Sequence, residues 1–342
     1  MIRQCMMLIA LILLLMPAAG AFADSTGGVF CGDLAEADCQ ILLDNDAAMD
    51  EVRSVGFTAR FAFDMGGDGI DALFHMSGAG SGRLAFDPAA AAALEEPEAY
   101  ADLEGAAALM EAFFASTAAE LTFDVSGATT EEDFALQLNM IMQDGVILLD
   151  GASLEALMGE SMGELEWLGF DTEGIFDDIF ADAGVNADSL ATLTAMEEAE
   201  AEFTTIERLA DDVVNGVPVA VFQSSVDLNA ILSGMTVEDL IAEARPNQLG
   251  DVDTAFALMQ GLDVKKFSTR QYIGIDDLYT HWVDMSMDVA LSGEALGMES
   301  LDMWITMSFG MNLADFNETF DVSIPEDAFV LPLAMLAQMG SQ

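Results

Sequence analysis

The chain has 342 residues, with 61 Asp and Glu against 9 Lys and Arg, a formal charge of −52. That balance excludes a nucleic-acid partner, whose phosphates demand basic contacts, and disfavours electrostatic docking on an anionic bilayer. An apolar content of 53% argues against disorder and for a folded core under an acidic shell, which fits a saline habitat or an acidic lineage.

In chain order, residues 1–23 read as a secretory signal peptide. Arg3 supplies the positive start, Cys5 to Met16 form an unbroken apolar run, and Ala21-Phe22-Ala23 is a small-x-small cleavage pattern before Asp24. The run is shorter than the ~20 residues that span a bilayer. Neither Cys5 nor Cys31 follows the small-residue pattern of a lipoprotein site. Residues 24–342 are therefore expected to be exported to the periplasm, cell envelope or medium as a single domain without a membrane anchor. Loss of Cys5 leaves Cys31 and Cys39, and an even pair in an exported protein predicts one disulfide; two independent thiols are the alternative.

Asp33 can cap a helix running to about Val52, with Leu34, Ile41, Leu42 and Met49 on its apolar side. The period then changes to two. Val55, Phe57, Ala59, Phe61 and Phe63 share one strand face, Gly66-Gly67-Asp68-Gly69 turns, and Ile70, Ala72, Phe74 and Met76 return. Asp64 to Asp71 superficially matches a calcium loop, but its third position is Gly66 and its twelfth His75, so it reads as a hairpin turn.

An alanine-rich stretch near 88–119 reads as a helical insertion between strands. Strand candidates follow at Leu121–Val125, Phe134–Met142 and, after Asp144-Gly145, Val146–Leu149. Helical blocks are expected around Leu154–Met158, Ile175–Ala181 and Ser189–Glu200. Phe203–Val213 and Val217–Val226 are joined through Asn215-Gly216, a strong tight-turn pair. More helix is expected from Asp227 to Leu262, then strands near Lys265–Ile275, Tyr279–Ser292, Glu299–Leu313 and Asn317–Ile324.

The pattern is clearest in Leu301, Met303, Ile305, Met307, Phe309, Met311 and Leu313, whose alternation builds one oily and one wetter face. The sum is an α+β chain with one large, one-faced antiparallel sheet of about eleven strands and inserted helices. Helices, a partner or a lipid must cover the oily face. Many of the 23 Met and 22 Phe fall on it. Methionine is flexible and polarizable, which suits a heterogeneous acyl guest; packing against the inserted helices as ordinary core is the alternative. No G-x-S-x-G elbow or other catalytic constellation stands out, so no enzyme, metal or cofactor is expected.

The order of signal peptide, helix and grouped long strands resembles the LolA-like superfamily, and within it the LppX/LprAFG-type envelope lipoproteins and related bacterial carriers. Phe203 to Phe222 looks like the family's middle hairpin, Gln271 to Leu278 like its following strand and turn, and Asn312-Leu313 through Ile324-Pro325 like its closing strand. The resemblance implies a curved half-open β-barrel whose helices lid a concave apolar cavity. It further implies a carrier that binds acyl chains of a lipid, glycolipid or lipoprotein and moves them through the envelope, with a transient membrane or envelope-protein partner. A structural or sensory envelope protein of the same fold, binding a protein partner, is the alternative. Strand parity nominates as cavity residues Phe57, Phe61, Phe63, Phe74, Met76, Phe123, Leu138, Met140, Val219, Val221, Met285, Met287, Met303, Ile305 and Met307.

Overall fold

The alternation that begins at Ser54 becomes β1 (Ser54–Gly67), and it seeds a single sheet that takes in every strand among the described residues. The computed structural model describes residues 29–67, 70–95, 103–129, 133–158, 165–172, 203–234, 261–292 and 302–332. The signal peptide and the helical blocks expected at 175–181, 189–200 and 236–260 lie outside them.

The remaining strands are β2 (Ile70–Ala85), β3 (Ala118–Thr129), β4 (Asp133–Gln143), β5 (Val146–Asp150) and β6 (Trp167–Asp171) in the first half. The second half adds β7 (Thr204–Arg208), β8 (Asp212–Val214), β9 (Val217–Val226), β10 (Leu262–Gly274), β11 (Thr280–Leu291), β12 (Met303–Ala314) and β13 (Phe329–Pro332). Their order is β13-β6-β5-β4-β3-β2-β1-β12-β11-β10-β9-β7, with β8 also paired to β9. Pairing is antiparallel except between β13 and β6, and the ends of the order do not pair, so the sheet is not closed. Five helices are described: α1 (Glu36–Met49), α2 (Pro88–Glu95), α3 (Leu103–Ser116), α4 (Gly151–Met158) and α5 (Leu228–Gly234).

The tight turns follow from residue type. Asp144-Gly145 and Asn215-Gly216 all have positive φ, the left-handed pair that a two-residue hairpin needs to match strand twist. Asp227 begins α5 as expected, its carboxylate accepting from the Ala230 N–H at 3.0 Å.

Four differences from the sequence reading have local causes. The first helix starts at Glu36 rather than after Asp33, because the Cys31–Cys39 disulfide (Cα–Cα 5.3 Å) accompanies a turn in which the Leu34 N–H donates to the Cys31 carbonyl. The strand expected over Phe203–Val213 is two strands. At the break Arg208 donates to the Leu209 and Val221 carbonyls and pairs with Asp211. Strand β6 was not anticipated, since Trp167-Leu168-Gly169-Phe170 is too short an apolar run to separate from a helical block.

The closing strand, finally, is Phe329–Pro332 and not Asn317–Ile324. Residues after β12 instead cross the start of β1. Asn317 donates its N–H to the Ser54 carbonyl and accepts from the Arg53 N–H, while the Ser54 hydroxyl donates to the Glu318 carbonyl. Positive φ at Asp315 and Asn317 turns the chain out of the sheet.

A polar plug seats α1 on the sheet. Asn45, 4% exposed, donates to the Leu278 carbonyl (2.6 Å) and Thr280 Oγ1 (3.1 Å) and accepts from Gln271 Nε2 (2.8 Å). Beside it Leu42 packs with Ala220, Phe222 and Ile273. Fully partnered buried polar groups of this kind fix one seating of a helix among the many that apolar contact alone allows.

The start of α4 illustrates the same economy. Asp150 caps it, accepting from the Ser153 N–H at 2.7 Å, and also accepts from Asn139 Nδ2 of β4 at 2.7 Å. Burial acts to raise the Asp150 carboxyl, but the hydrogen bonds from Ser153 and Asn139 outweigh it and hold its pKa below the ordinary 3.8. With the folded value the lower one, this stabilisation is complete above the unfolded pKa and is lost as pH falls through the folded pKa. Asp150→Ala is expected to cost about 1 kcal/mol at neutral pH, read as a lowered urea midpoint. The same variant should lose less stability than the parent when the titration is carried into the acid range below 3.8.

Candidate functional site

Directly opposed residues of paired antiparallel strands share a face, so the registers assign every strand residue to one side. One transverse row runs Phe134 (β4), Gly127 (β3), Met76 (β2), Phe63 (β1), Met307 (β12), Met287 (β11) and Phe267 (β10). The next row carries Phe74, Met65, Ile305 and Val289 on the same side. This is one continuous apolar surface across seven strands.

The apolar face has two zones. Near the start of β1, Phe57, Leu84, Ala119, Leu121, Met142, Met311 and Leu313 are all buried, and Met49 from α1, Phe114 from α3, Phe86 and Phe316 pack on them. This zone is ordinary core. Toward the other end of β1, Phe61, Phe63, Met65, Phe74, Phe134, Met287, Met303, Ile305 and Met307 are only half-buried. Within it Phe63 and Phe74 meet edge to face at 5.8 Å, and Phe74 stacks near Phe134 at 6.5 Å. Side chains of both zones fit into a glycine column on β2. Phe61 lies against Gly78, Phe123 against Gly80, and Leu121 with Phe57 against Gly82, where any Cβ would collide.

Thirteen of the fifteen nominated residues share this face: Phe57, Phe61, Phe63, Phe74, Met76, Phe123, Leu138, Met140, Met285, Met287, Met303, Ile305 and Met307. Of these, Phe57, Met76, Leu138 and Met285 are buried and the rest half-buried. Val219 and Val221 are corrected to the opposite face, where the register sets them against Gly274 and Tyr272. Val217-Pro-Val-Ala-Val-Phe is apolar on both sides, so the run conceals its parity; Ala220 and Phe222 are the residues that face α1.

Phe267, Phe134, Phe309 and Met65 share the face but were not nominated. Phe309 lay in the cited stripe and Phe134 in a cited strand. Phe267 is hidden by a bulge between Val264 and Lys266 that shifts the alternation by one residue. Two consecutive lysines interrupting an apolar–polar alternation are the trace it leaves.

The middle of the opposite face is polar. One row across it reads Ser77, Ala62, Ser308, Ser286 and Ser268, and another sets Asp64 beside His75, whose Nδ1 lies 2.6 Å from the carboxylate. Asp64, the first position of the superficial calcium loop, is thus a strand residue paired across to His75. Two hollows lined by described residues, of 590 and 390 Å³, both lie on this polar face. No helix among the described residues is long and apolar enough to cross a membrane.

No family model matches the chain, and no curated protein does. Among solved structures it is similar to LprF from Mycobacterium bovis, at 9% identity and a TM-score of 0.35, covering 87% of this chain and 100% of that one. It is also similar to the lipoprotein LppX from Mycobacterium tuberculosis, at 10% identity and a TM-score of 0.28, covering 85% and 100%.

Proposed function

We propose that the chain is an exported carrier that shelters acyl chains of a lipid, glycolipid or lipoprotein against its apolar sheet face and moves them through the cell envelope. The observation that carries this reading is the half-buried zone of Phe63, Phe74, Met287, Met303, Ile305 and Met307, continuous with a sealed core on the same face. Each methylene moved from water onto such a surface contributes roughly 0.8 kcal/mol. Flexible thioethers accommodate chains of differing length and unsaturation at little cost in shape. The mechanism is non-covalent: cargo is held by apolar contact and released at a membrane.

The test is organic extraction and native mass spectrometry of protein purified from its own host, with a fluorescent fatty acid as a second probe. Recovered lipid, and a probe signal lost in Met307→Glu but kept in Asp150→Ala, is the expected outcome. Protein that yields no lipid and does not bind the probe would overturn the reading. A specific envelope protein recovered in place of lipid would favour the structural or sensory role.

A further inference from the structure

The 390 Å³ hollow gathers three of the chain's nine Lys and Arg residues on the polar side of the sheet. Arg60 (β1), Gly310 (β12), Asp284 (β11) and Arg270 (β10) are consecutive cross-strand neighbours in one row. Glycine at position 310 lets the Trp282 ring, the Asp284 carboxylate and the Arg60 side chain close over the backbone; a Cβ there would meet them at 2.9, 3.1 and 3.3 Å. The floor beside it is made by the hydroxyls of Ser268 and Ser286, 3.0 Å apart, and by Ser308. Lys266 stands at the far rim.

The two arginines are held by neighbours other than carboxylates. The Arg60 guanidinium lies 5.1 Å over the Trp282 ring, and Arg270 Nε donates to Gln223 Oε1 at 2.7 Å. Asp284 accepts from the Tyr272 hydroxyl at 3.2 Å. Among the described residues none of Arg60, Arg270 and Lys266 is in an ion pair, although Asp284 and Asp288 are their cross-strand neighbours and the chain carries 61 acidic residues. In so acidic a chain, three cations that outnumber the two carboxylates beside them stand out, and cations with a hydroxyl floor between them complement a tetrahedral oxyanion.

We infer that this hollow, on the face opposite the proposed acyl surface, binds a small phosphate- or sulfate-type oxyanion, free or as a monoester, between Arg60 and Arg270 with Lys266 at the rim. The three serines offer hydroxyls to the oxygens, and contact with the Trp282 ring restrains the Arg60 guanidinium beside them.

Inorganic phosphate, sulfate and glycerol phosphate are titrated into the full protein at constant ionic strength, so that screening of the acidic shell stays fixed. Calorimetry and tryptophan fluorescence report binding, with Trp282 beneath Arg60 as a local probe. One site per chain is expected. Arg60→Gln and Arg270→Gln should each weaken it roughly tenfold or more. Ser286→Glu should abolish it by filling the floor with a carboxylate. Lys266→Gln, at an exposed position that leaves the sheet packing untouched, should weaken it, and Arg83→Gln in the larger hollow should not. No binding at millimolar anion would overturn the inference, as would binding that survives the Arg60→Gln/Arg270→Gln double substitution. Binding only to phosphatidylglycerol vesicles, with none to the soluble anions, would overturn it too. Lipid recovery from the apolar face is a separate readout that these substitutions leave intact, so either assignment can fail alone.

Discussion

Phe57→Ala is expected to cost about 3–5 kcal/mol of folding stability, whereas Phe63→Ala, three turns of the alternation further along the same face, should cost less than half as much. Phe57 is 6% exposed and sits in a cluster with Leu121, Leu313 and Met311 that α1 and α3 seal through Met49 and Phe114. Removing its ring leaves a void enclosed by buried neighbours and two helices, which closes only in part. Phe63 is half-buried and borders Met76, Met307 and Phe74, of which two are flexible thioethers able to shift into the space. Urea midpoints at unchanged slope measure the difference. The pair also separates core from cargo surface: Phe63→Ala should reduce fatty-acid probe binding in protein that remains folded. Equal destabilisation by both substitutions would mean that the two zones are one core, leaving no surface for a guest.

Gly82→Ala is expected to destabilise by about 2–3 kcal/mol, and Gly80→Ala by much less. The two glycines differ in what a new methyl would strike. At Gly82 it would lie 2.5 Å from the Glu120 carbonyl oxygen and 2.6 Å from Leu121 Cδ2, so relief requires moving the β3 backbone. At Gly80 the nearest atoms belong to the edge of the Phe123 ring, which can tilt away about its own torsions. Alanine also recovers some of the conformational entropy that glycine loses on folding, which offsets part of the Gly80 cost but not the Gly82 clash. Thermal melts of the two variants side by side provide the check. Similar melting temperatures would mean that the aromatic slots on β2 are not set by backbone approach.

Much of the sheet was legible because alternation is a local signal. Both Gly-containing two-residue turns, the long strands β1, β4, β9 and β12, and the face of thirteen nominated residues follow from a period of two and from residues that tolerate positive φ. The errors cluster where local pattern is silent. Val219 and Val221 belong to a run that is apolar on both sides, Phe267 follows a bulge, and β6 and β13 are short pieces at one end of the sheet, β13 being paired through β6 alone. The basic hollow could not be read at all. Arg60, Lys266 and Arg270 are up to 210 positions apart in numbering and meet only because β1, β12, β11 and β10 stand side by side.

The amino-acid order alone thus determined a one-faced antiparallel sheet, its main registers of oily and wet residues, and a formal charge of −52. Those properties arise within a few neighbouring residues, where sterics and alternation act directly. Only the tertiary structure decided which part of the oily face is sealed and which is half-open, and which lone cations on distant strands share one hollow. Both depend on strand order and helix seating, set by contacts between segments far apart along the chain, such as Asn45 on Gln271 and Thr280.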